Sequence, residues 1–228
     1  MRTENLTVVI VKGYPLMVES YRKLLIKFEK ANQSGFRVLI ETAVDYQEAI
    51  DLFERLFLSE RRVDLVLLDL KVLDYSKNGY IAGEDVGLFV RERHPDAKII
   101  ITTTFMNQYR VHAILKSIKP EGFLVKADVD SIIFKRAIKE VLDDSYYYSR
   151  KISKWLNAFD HNDIVLDKWD RHLLYELSQH VKMKDLPNKL PLSLAAIEKR
   201  KRRIKSLFEV EQGDDYLLLL KARKYGFI

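Results

Sequence analysis

Residues 63–70 read VDLVLLDL, a run of apolar and β-branched side chains that closes on an acidic residue, Asp69. A run this short, with no polar alternation, suits a strand buried on both faces. Similar runs recur at Leu6–Val11, Phe36–Ile40, Lys98–Ile101 and Gly122–Val125. Between them, apolar residues at helical spacing predict helices at about Pro15–Lys30, Tyr46–Leu58, Glu84–His94, Gln108–Ile118 and Asp130–Leu142. Strands alternating with helices predict an α/β domain, a five-stranded, doubly wound parallel sheet with helices on both faces. In such sheets sites form beyond the carboxyl ends of the strands. The residues that end the runs are therefore the candidates: Lys12 and Gly13, Asp69, Thr103 and Lys126.

Composition narrows the chemistry. The 228 residues include no Cys, which excludes a disulfide framework, a thiolate metal site and a cysteine nucleophile. The five His are scattered without ligand spacing, so no metal site is expected on them. The first residues, MRTENLTVVIVKGYP, carry too short an apolar run for a secretion signal or a membrane span, so a cytoplasmic chain with no membrane partner is expected. Lys and Arg number 39 against 33 Asp and Glu, a balance that permits a polyanionic partner.

The positive charge is local. Between Val181 and Ser206 nine Lys or Arg face only Asp185 and Glu198, so this window is about +7. Within it, residues 192–208 read LSLAAIEKRKRRIKSLF. Ser193 is a good N-cap, with Ala195, Ala196 and Ile197 following at once. Ile197, Ile204, Leu207 and Phe208 fall near one helical face, and Ala195, Glu198, Lys199, Arg202 and Ser206 on another. One face packs and the other is offered. A basic face of this width suits a DNA major groove: Lys199 and Arg202 would reach base edges, Glu198 would accept from a cytosine amino group, and Arg200, Lys201 and Arg203 would flank it toward phosphates. A solvated charged face is the plain alternative.

Around this helix, DKWDRHLLYELSQHV, KMKDLPNKL and DDYLLLLKARKYGFI each read as a further helix, with Gly226 a stop. Four short helices, the third basic, make a helix-turn-helix module. LDKWDRHLLYELSQ, KMKDLPNKLPLSLAAIEKRKRRI and LKARKYGFI resemble the LuxR-type DNA-binding domain. Two departures are Pro187, where Ala is usual, and Glu198 on the groove face. The first domain, with LVLLDL ending in Asp69, IIITTT placing Thr103 and GFLVKA placing Lys126 three residues after Phe123, resembles the receiver domain of bacterial response regulators, a flavodoxin-like fold. The whole chain is thus similar to a response regulator of the NarL/LuxR class. The resemblance implies a two-component transcription regulator rather than an enzyme. It implies Asp69 as phosphoacceptor, Thr103 and Lys126 against the phosphoryl oxygens, and Phe123 as the switch aromatic. Its expected partners are double-stranded DNA, a second copy of the chain and a sensor histidine kinase.

The sequence departs from that pattern after the first strand. Receivers carry an acidic pair there that holds Mg²⁺, whereas VVIVKGYP has Lys12 and Gly13. No metal ligands remain beyond Asp69, so Mg²⁺ binding is expected to be weak or absent. A Lys12 ammonium about 4 Å from Asp69 would supply roughly 4 kcal/mol at an effective dielectric near 20, before desolvation. Lys12 either takes over the metal's charge or points to solvent beside a decayed pocket. The stretch KVLDYSKNGYIAGED, with turns expected at Gly79 and Gly83, lengthens the loop after Asp69, and Asp74 within it would reach the pocket only if the loop folded back.

The expected division is 1–143 as the receiver-like domain, 144–165 as an interdomain segment and 166–228 as the helix-turn-helix domain. The segment contains Tyr146, Tyr147 and Tyr148 and then an amphipathic piece with Ile152, Trp155, Leu156 and Phe159, too apolar for a flexible tether. Three functional readings follow. The first is a DNA-binding regulator whose receiver lacks the metal site, so that phosphorylation at Asp69 is in doubt. The second is a conventional phosphorylation-dependent regulator. The third is an adaptor that keeps the helix-turn-helix only for docking. The missing acidic pair separates the first from the second, and the run Lys199–Lys205 separates both from the third.

Overall fold

The computed structural model describes residues 5–12, 14–31, 36–74, 80–104, 107–158, 164–211 and 214–228. Gly13, Gly79, Phe159 and the side chain of Asp74 lie outside the described residues. The elements are β1 (Asn5–Val11), α1 (Pro15–Ala31), β2 (Arg37–Ala43), α2 (Tyr46–Leu58), β3 (Leu65–Asp69), β4 (Leu73–Asp74), β5 (Tyr80–Ile81), α3 (Gly83–Arg93), β6 (Lys98–Thr103), α4 (Gln108–Ser117), β7 (Gly122–Val125), α5 (Ser131–Leu142), β8 (Tyr147–Tyr148), α6 (Arg150–Ala158), α7 (Lys168–Ser178), α8 (Leu194–Leu207) and α9 (Asp215–Lys224).

The apolar runs become a parallel sheet of order β2-β1-β3-β6-β7-β8, with the reversal of order next to β1 that the doubly wound reading expects. All five predicted strands are present. The sixth, β8, lies where the sequence predicts only an interdomain segment. Tyr147 pairs with Gly122 and Tyr148 with Phe123, and the Tyr148 hydroxyl donates to the Pro120 carbonyl at 3.0 Å. A two-residue strand is too short to show a period, but aromatic residues suit a half-buried edge. The long loop after Asp69 doubles back as a two-residue antiparallel ladder, Leu73 opposite Ile81 and Asp74 opposite Tyr80.

Strand alternation sorts the core. Val8 and Ile10 of β1, Leu65 and Leu67 of β3, Ile100 of β6 and Leu124 of β7 share one cluster with Tyr21 and Leu25 of α1 and Phe134 and Ile138 of α5. By the same parity Lys12, Asp69, Thr102 and Lys126 continue these rows at their carboxyl ends, on the α1 and α5 side.

The chain divides into two compact units, Met1–Met106 with Ile118–Asn157, and Asn107–Ser117 with Ala158–Ile228. Helix α4 thus belongs to the second unit, which no sequence period indicates. The Asn107 amide donates to the Lys224 carbonyl at 2.6 Å and the Arg110 guanidinium to that of Gly226 at 2.7 Å. The Tyr109 and Tyr225 rings lie 4.1 Å apart between centroids. Gly226 has φ +76°, and a Cβ there would sit 2.9 Å from that of Asn107.

The C-terminal helices of the second unit close around Leu173, Leu174, Leu186, Ile197, Ile204, Phe208 and Leu218, all buried. Asp167 and Asp170 form a reciprocal capping box at the start of α7. The segment KMKDLPNKL is a 3₁₀ helix over Met183–Asn188 rather than the α-helix the sequence suggests. Pro187 supplies no N–H and clashes with the turn before it, so α-helical continuation is unfavourable there.

Candidate functional site

At the carboxyl ends of the strands, Asp69 closes β3 with its side chain wholly buried. Its Oδ2 accepts from Lys126 Nζ at 2.5 Å, and Lys12 Nζ stands 3.6 Å away. Its Oδ1 accepts from the Lys71 N–H at 3.0 Å. Lys12 follows β1 directly, pinned by its N–H to the Ala43 carbonyl at 2.9 Å. Lys126 follows β7 and opens a short 3₁₀ turn. The structure therefore brings Lys12, Asp69 and Lys126 together.

Lys12 Nζ is buried, has no partner within hydrogen-bond distance, and lies 4.2 Å over the Tyr21 ring. Burial pushes its pKa down, and the Asp69 carboxylate only partly offsets that. Burial raises the Tyr21 phenol, against a hydrogen bond with the Thr102 hydroxyl. Thr102 is the register partner of Asp69, so strand alternation puts it on Asp69's face. Thr103, the sequence candidate, is the next residue, buried at the end of β6. Phe123 is buried in β7, on the opposite parity from Lys126. Tyr21 and Thr102 were missed by the sequence reading. The register that puts Thr102 on Asp69's face is a property of strand pairing, and Tyr21 reaches the pocket only through the packing of α1.

The fold family implies a divalent cation in this place. The residues present do not fit one. Among the described residues the pocket offers one carboxylate, both of whose oxygens already accept, with two ammonium groups within 4 Å of it. Mg²⁺ requires several oxygen ligands in near-octahedral array. Among the described residues no three His, Asp or Glu side chains stand together as a metal site would need.

The second candidate surface is α8. Ser193 caps it, its Oγ accepting from the Ala196 N–H at 3.3 Å. Ile197 and Ile204 are buried, whereas Ala195, Glu198, Lys199, Arg202 and Ser206 are all exposed, as the helical spacing predicts. The flanking cations divide differently. Arg200 pairs with Asp167 at 2.6 Å and with the buried Asp170 at 2.9 Å, and Arg203 also pairs with Asp170. Lys201 and Lys205 both grip Asp215, at 2.5 and 2.6 Å. Burial raises the Asp215 carboxyl, but hydrogen bonds from these two ammonium groups outweigh it and hold the pKa below its ordinary value. Among the described residues Lys199 and Arg202 have no ion-pair partner. Asp170 and Asp215 were not singled out in the sequence, where each looks like an ordinary residue of a first helical turn.

On α9, Leu218 is buried and Leu217 and Leu219 pack partly against the same core. The four-leucine run therefore leaves Leu220 exposed at 48 %, one turn from Tyr216 at 77 %.

No protein-family model and no curated protein matches the chain. Solved structures do match over nearly its full length. RcsB from Salmonella enterica serovar Typhimurium, bound to promoter rprA with a phosphomimetic, superposes with TM-score 0.62 at 19 % identity, over 96 % of this chain and 98 % of that one. An RcsB–DNA complex gives TM-score 0.55 at 19 % identity over 97 % and 99 %. A LuxR-family two-component response regulator from Aurantimonas sp. SI85-9A1 gives 0.52 at 20 % over 68 % and 96 %. The chain has the fold of these response regulators, a parallel α/β sheet followed by helices. Among the described residues no helix is long and apolar enough to cross a membrane.

Proposed function

We propose that the chain is a DNA-binding transcriptional regulator, not an enzyme, in which α8 reads the major groove of double-stranded DNA. The observation that carries this reading is the exposed face of α8, where Lys199 and Arg202 stand beside Glu198 without ion-pair partners among the described residues. Four neighbouring cations of the same helix are tied to Asp167, Asp170 and Asp215. A face kept free in this way matches the geometry in which long cations reach base edges and an acidic side chain accepts from cytosine. The RcsB structures are described as DNA complexes, which supports the reading by fold. Arg200, Lys201 and Arg203 act first as braces of α8 against α7 and α9, and meet phosphate only from that braced position.

The first unit is proposed as a receiver-like domain in which Lys12 replaces the metal. The two ammonium groups stand against the buried Asp69 carboxylate, with Thr102 on its face of the sheet and Thr103 and Phe123 in the adjoining strands. Phosphoryl transfer to a carboxylate requires charge neutralisation and positioning. Here the neutralising charge is supplied without a metal, so the proposed switch is not occupancy of Asp69 by a phosphoryl group. A sensor histidine kinase is a partner only on the conventional reading.

A homodimer on DNA is proposed as the working form, in keeping with the RcsB dimers described on DNA. The test of DNA recognition is selection from random duplexes followed by titration of the enriched site. Wild type should bind it specifically, and the Lys199→Ala/Arg202→Ala variant should lose that binding. Equal affinity in both would overturn the reading.

A further inference from the structure

Within the first unit, α5, β8 and α6 enclose an open groove of ≈ 810 Å³, a size in the range of small-molecule sites. One face of α6 lines it. Arg150, Lys151, Lys154 and Trp155 fall at one, three and four residue spacings and so stand side by side. The facing wall carries Tyr147 and the buried Ser149. Ser149 Oγ accepts from the Val125 N–H at 3.3 Å, which leaves its proton available to donate.

Among the described residues none of Arg150, Lys151 and Lys154 forms an ion pair, while Arg136 nearby is matched to Glu140 at 2.7 Å. Among the described residues the one carboxylate on the lining is Asp128. Helix α6 has no acidic residue in its first turn, and Arg150 and Lys151 occupy that turn, where the helix dipole disfavours positive charge. These cations therefore cost the helix stability rather than adding to it. Lys151 Nζ lies 5.4 Å from the Trp155 ring centroid, which orders an aromatic plane beside the ammonium groups. The Tyr147 ring forms a second plane, with the Arg136 guanidinium at 6.0 Å.

We propose that this groove is a binding site for a nucleoside di- or triphosphate, with the phosphates on Arg150, Lys151 and Lys154 and the base against Trp155 and Tyr147. Ammonium and guanidinium groups without counter-ions recognise phosphate oxygens by charge-assisted hydrogen bonds. Flat aromatic faces recognise any base by stacking. A bare anion would use only the first feature and an apolar ligand only the second. The site is separate from the Asp69 pocket and from α8, and the inference does not depend on DNA binding.

Calorimetric titration of the full chain with ATP, with GTP and with inorganic pyrophosphate tests it. The expected result is saturable binding of ATP or GTP, with pyrophosphate weaker by about tenfold because it lacks the base. The Lys151→Ala/Lys154→Ala variant should have a thermal midpoint no lower than wild type's and bind the nucleotide about tenfold or more weakly. Trp155→Phe, which keeps a smaller ring, should bind at an intermediate level. Four results would overturn the proposal: no saturable binding up to about 1 mM nucleotide, pyrophosphate binding as tightly as nucleotide, unchanged nucleotide affinity in the double lysine variant, or loss of duplex affinity in that variant with no nucleotide binding by wild type.

Discussion

Lys12 concentrates the chemistry of the first unit in one residue. Its position was legible in the sequence because it directly follows the run LTVVIV, but two alternatives stayed open until the packing of α1 placed Tyr21 over its ammonium group. The Lys12 pKa is depressed from 10.5 by burial. Below the folded-state pKa both folded and unfolded chains carry the proton, and the full cost of burying the charge is present. Between that pKa and 10.5 the unfolded chain binds more protons than the folded one, so stability rises with pH across the window. Lys12→Met removes this dependence. Urea unfolding at a series of pH values should therefore show wild type gaining on Lys12→Met as pH rises toward 10.5. A constant difference, or one that shrinks, would mean that the lysine does not titrate as a buried group. On α8 the residue scale separates readers from braces. Arg202→Ala should cost about 1–3 kcal/mol of specific DNA affinity with an unchanged thermal midpoint. Arg200→Ala, which strips one partner from the buried Asp170, should instead destabilise the fold by about 1–2 kcal/mol. The sequence showed which α8 residues face outward but not which were paired, because Asp167, Asp170 and Asp215 lie 10 to 33 residues from their partners and only tertiary packing brings them in.

Helix ends hold a reserve of stability. Helix α9 stops as its sequence suggested, with Gly226 in the left-handed region, the Phe227 N–H bonded to the Ala222 carbonyl at 2.9 Å and the Gly226 N–H to that of Arg223 at 3.0 Å. Other helices end on residues that carry a Cβ. Glu60 follows α2 at φ 53°, His180 follows α7 at φ 62° and Glu209 follows α8 at φ 51°. Each pays a steric penalty of about 1 kcal/mol that glycine avoids. His180→Gly should raise stability by about 0.5–1 kcal/mol after the added freedom of the unfolded chain is offset. Denaturant unfolding of His180→Gly and of Gly226→Ala should move the midpoint in opposite directions; a loss of stability in His180→Gly would show that the histidine's own contacts matter more. No stop signal stands at His180 because Gly is absent there, whereas Ser193 was readable as a cap from its side chain. The strand β8 and the 3₁₀ geometry at Pro187 were hidden for the same kind of reason. A two-residue strand has no period, and the choice between α and 3₁₀ around a proline is decided by the local clash.

At the scale of the molecule, the alternation of strands and helices was sufficient for the α/β architecture and for the helical unit that follows it. It did not indicate that α4 joins the second unit, since an amphipathic helix shows that it buries a face but not against what. The dimer proposed on DNA has a smaller surface than the four leucines suggested. Tyr216 and Leu220 are the exposed pair, so Leu220→Glu should leave the monomer folded, weaken cooperative binding to a two-half-site duplex and spare binding to a single half-site. A one-protomer footprint for wild type would exclude the dimer. The central claim is that Lys12 has displaced the metal and that Asp69 phosphorylation does not govern DNA binding. Its most direct measurement compares wild type, Asp69→Asn and Lys12→Glu/Gly13→Asp for phosphoryl incorporation from a small phosphodonor, with and without Mg²⁺, alongside duplex affinity. The account predicts little incorporation into wild type, no response to Mg²⁺, and no change in wild-type DNA affinity on exposure to the donor. Robust Mg²⁺-dependent labelling of wild type, abolished in Asp69→Asn and accompanied by a matching change in DNA affinity, would contradict it.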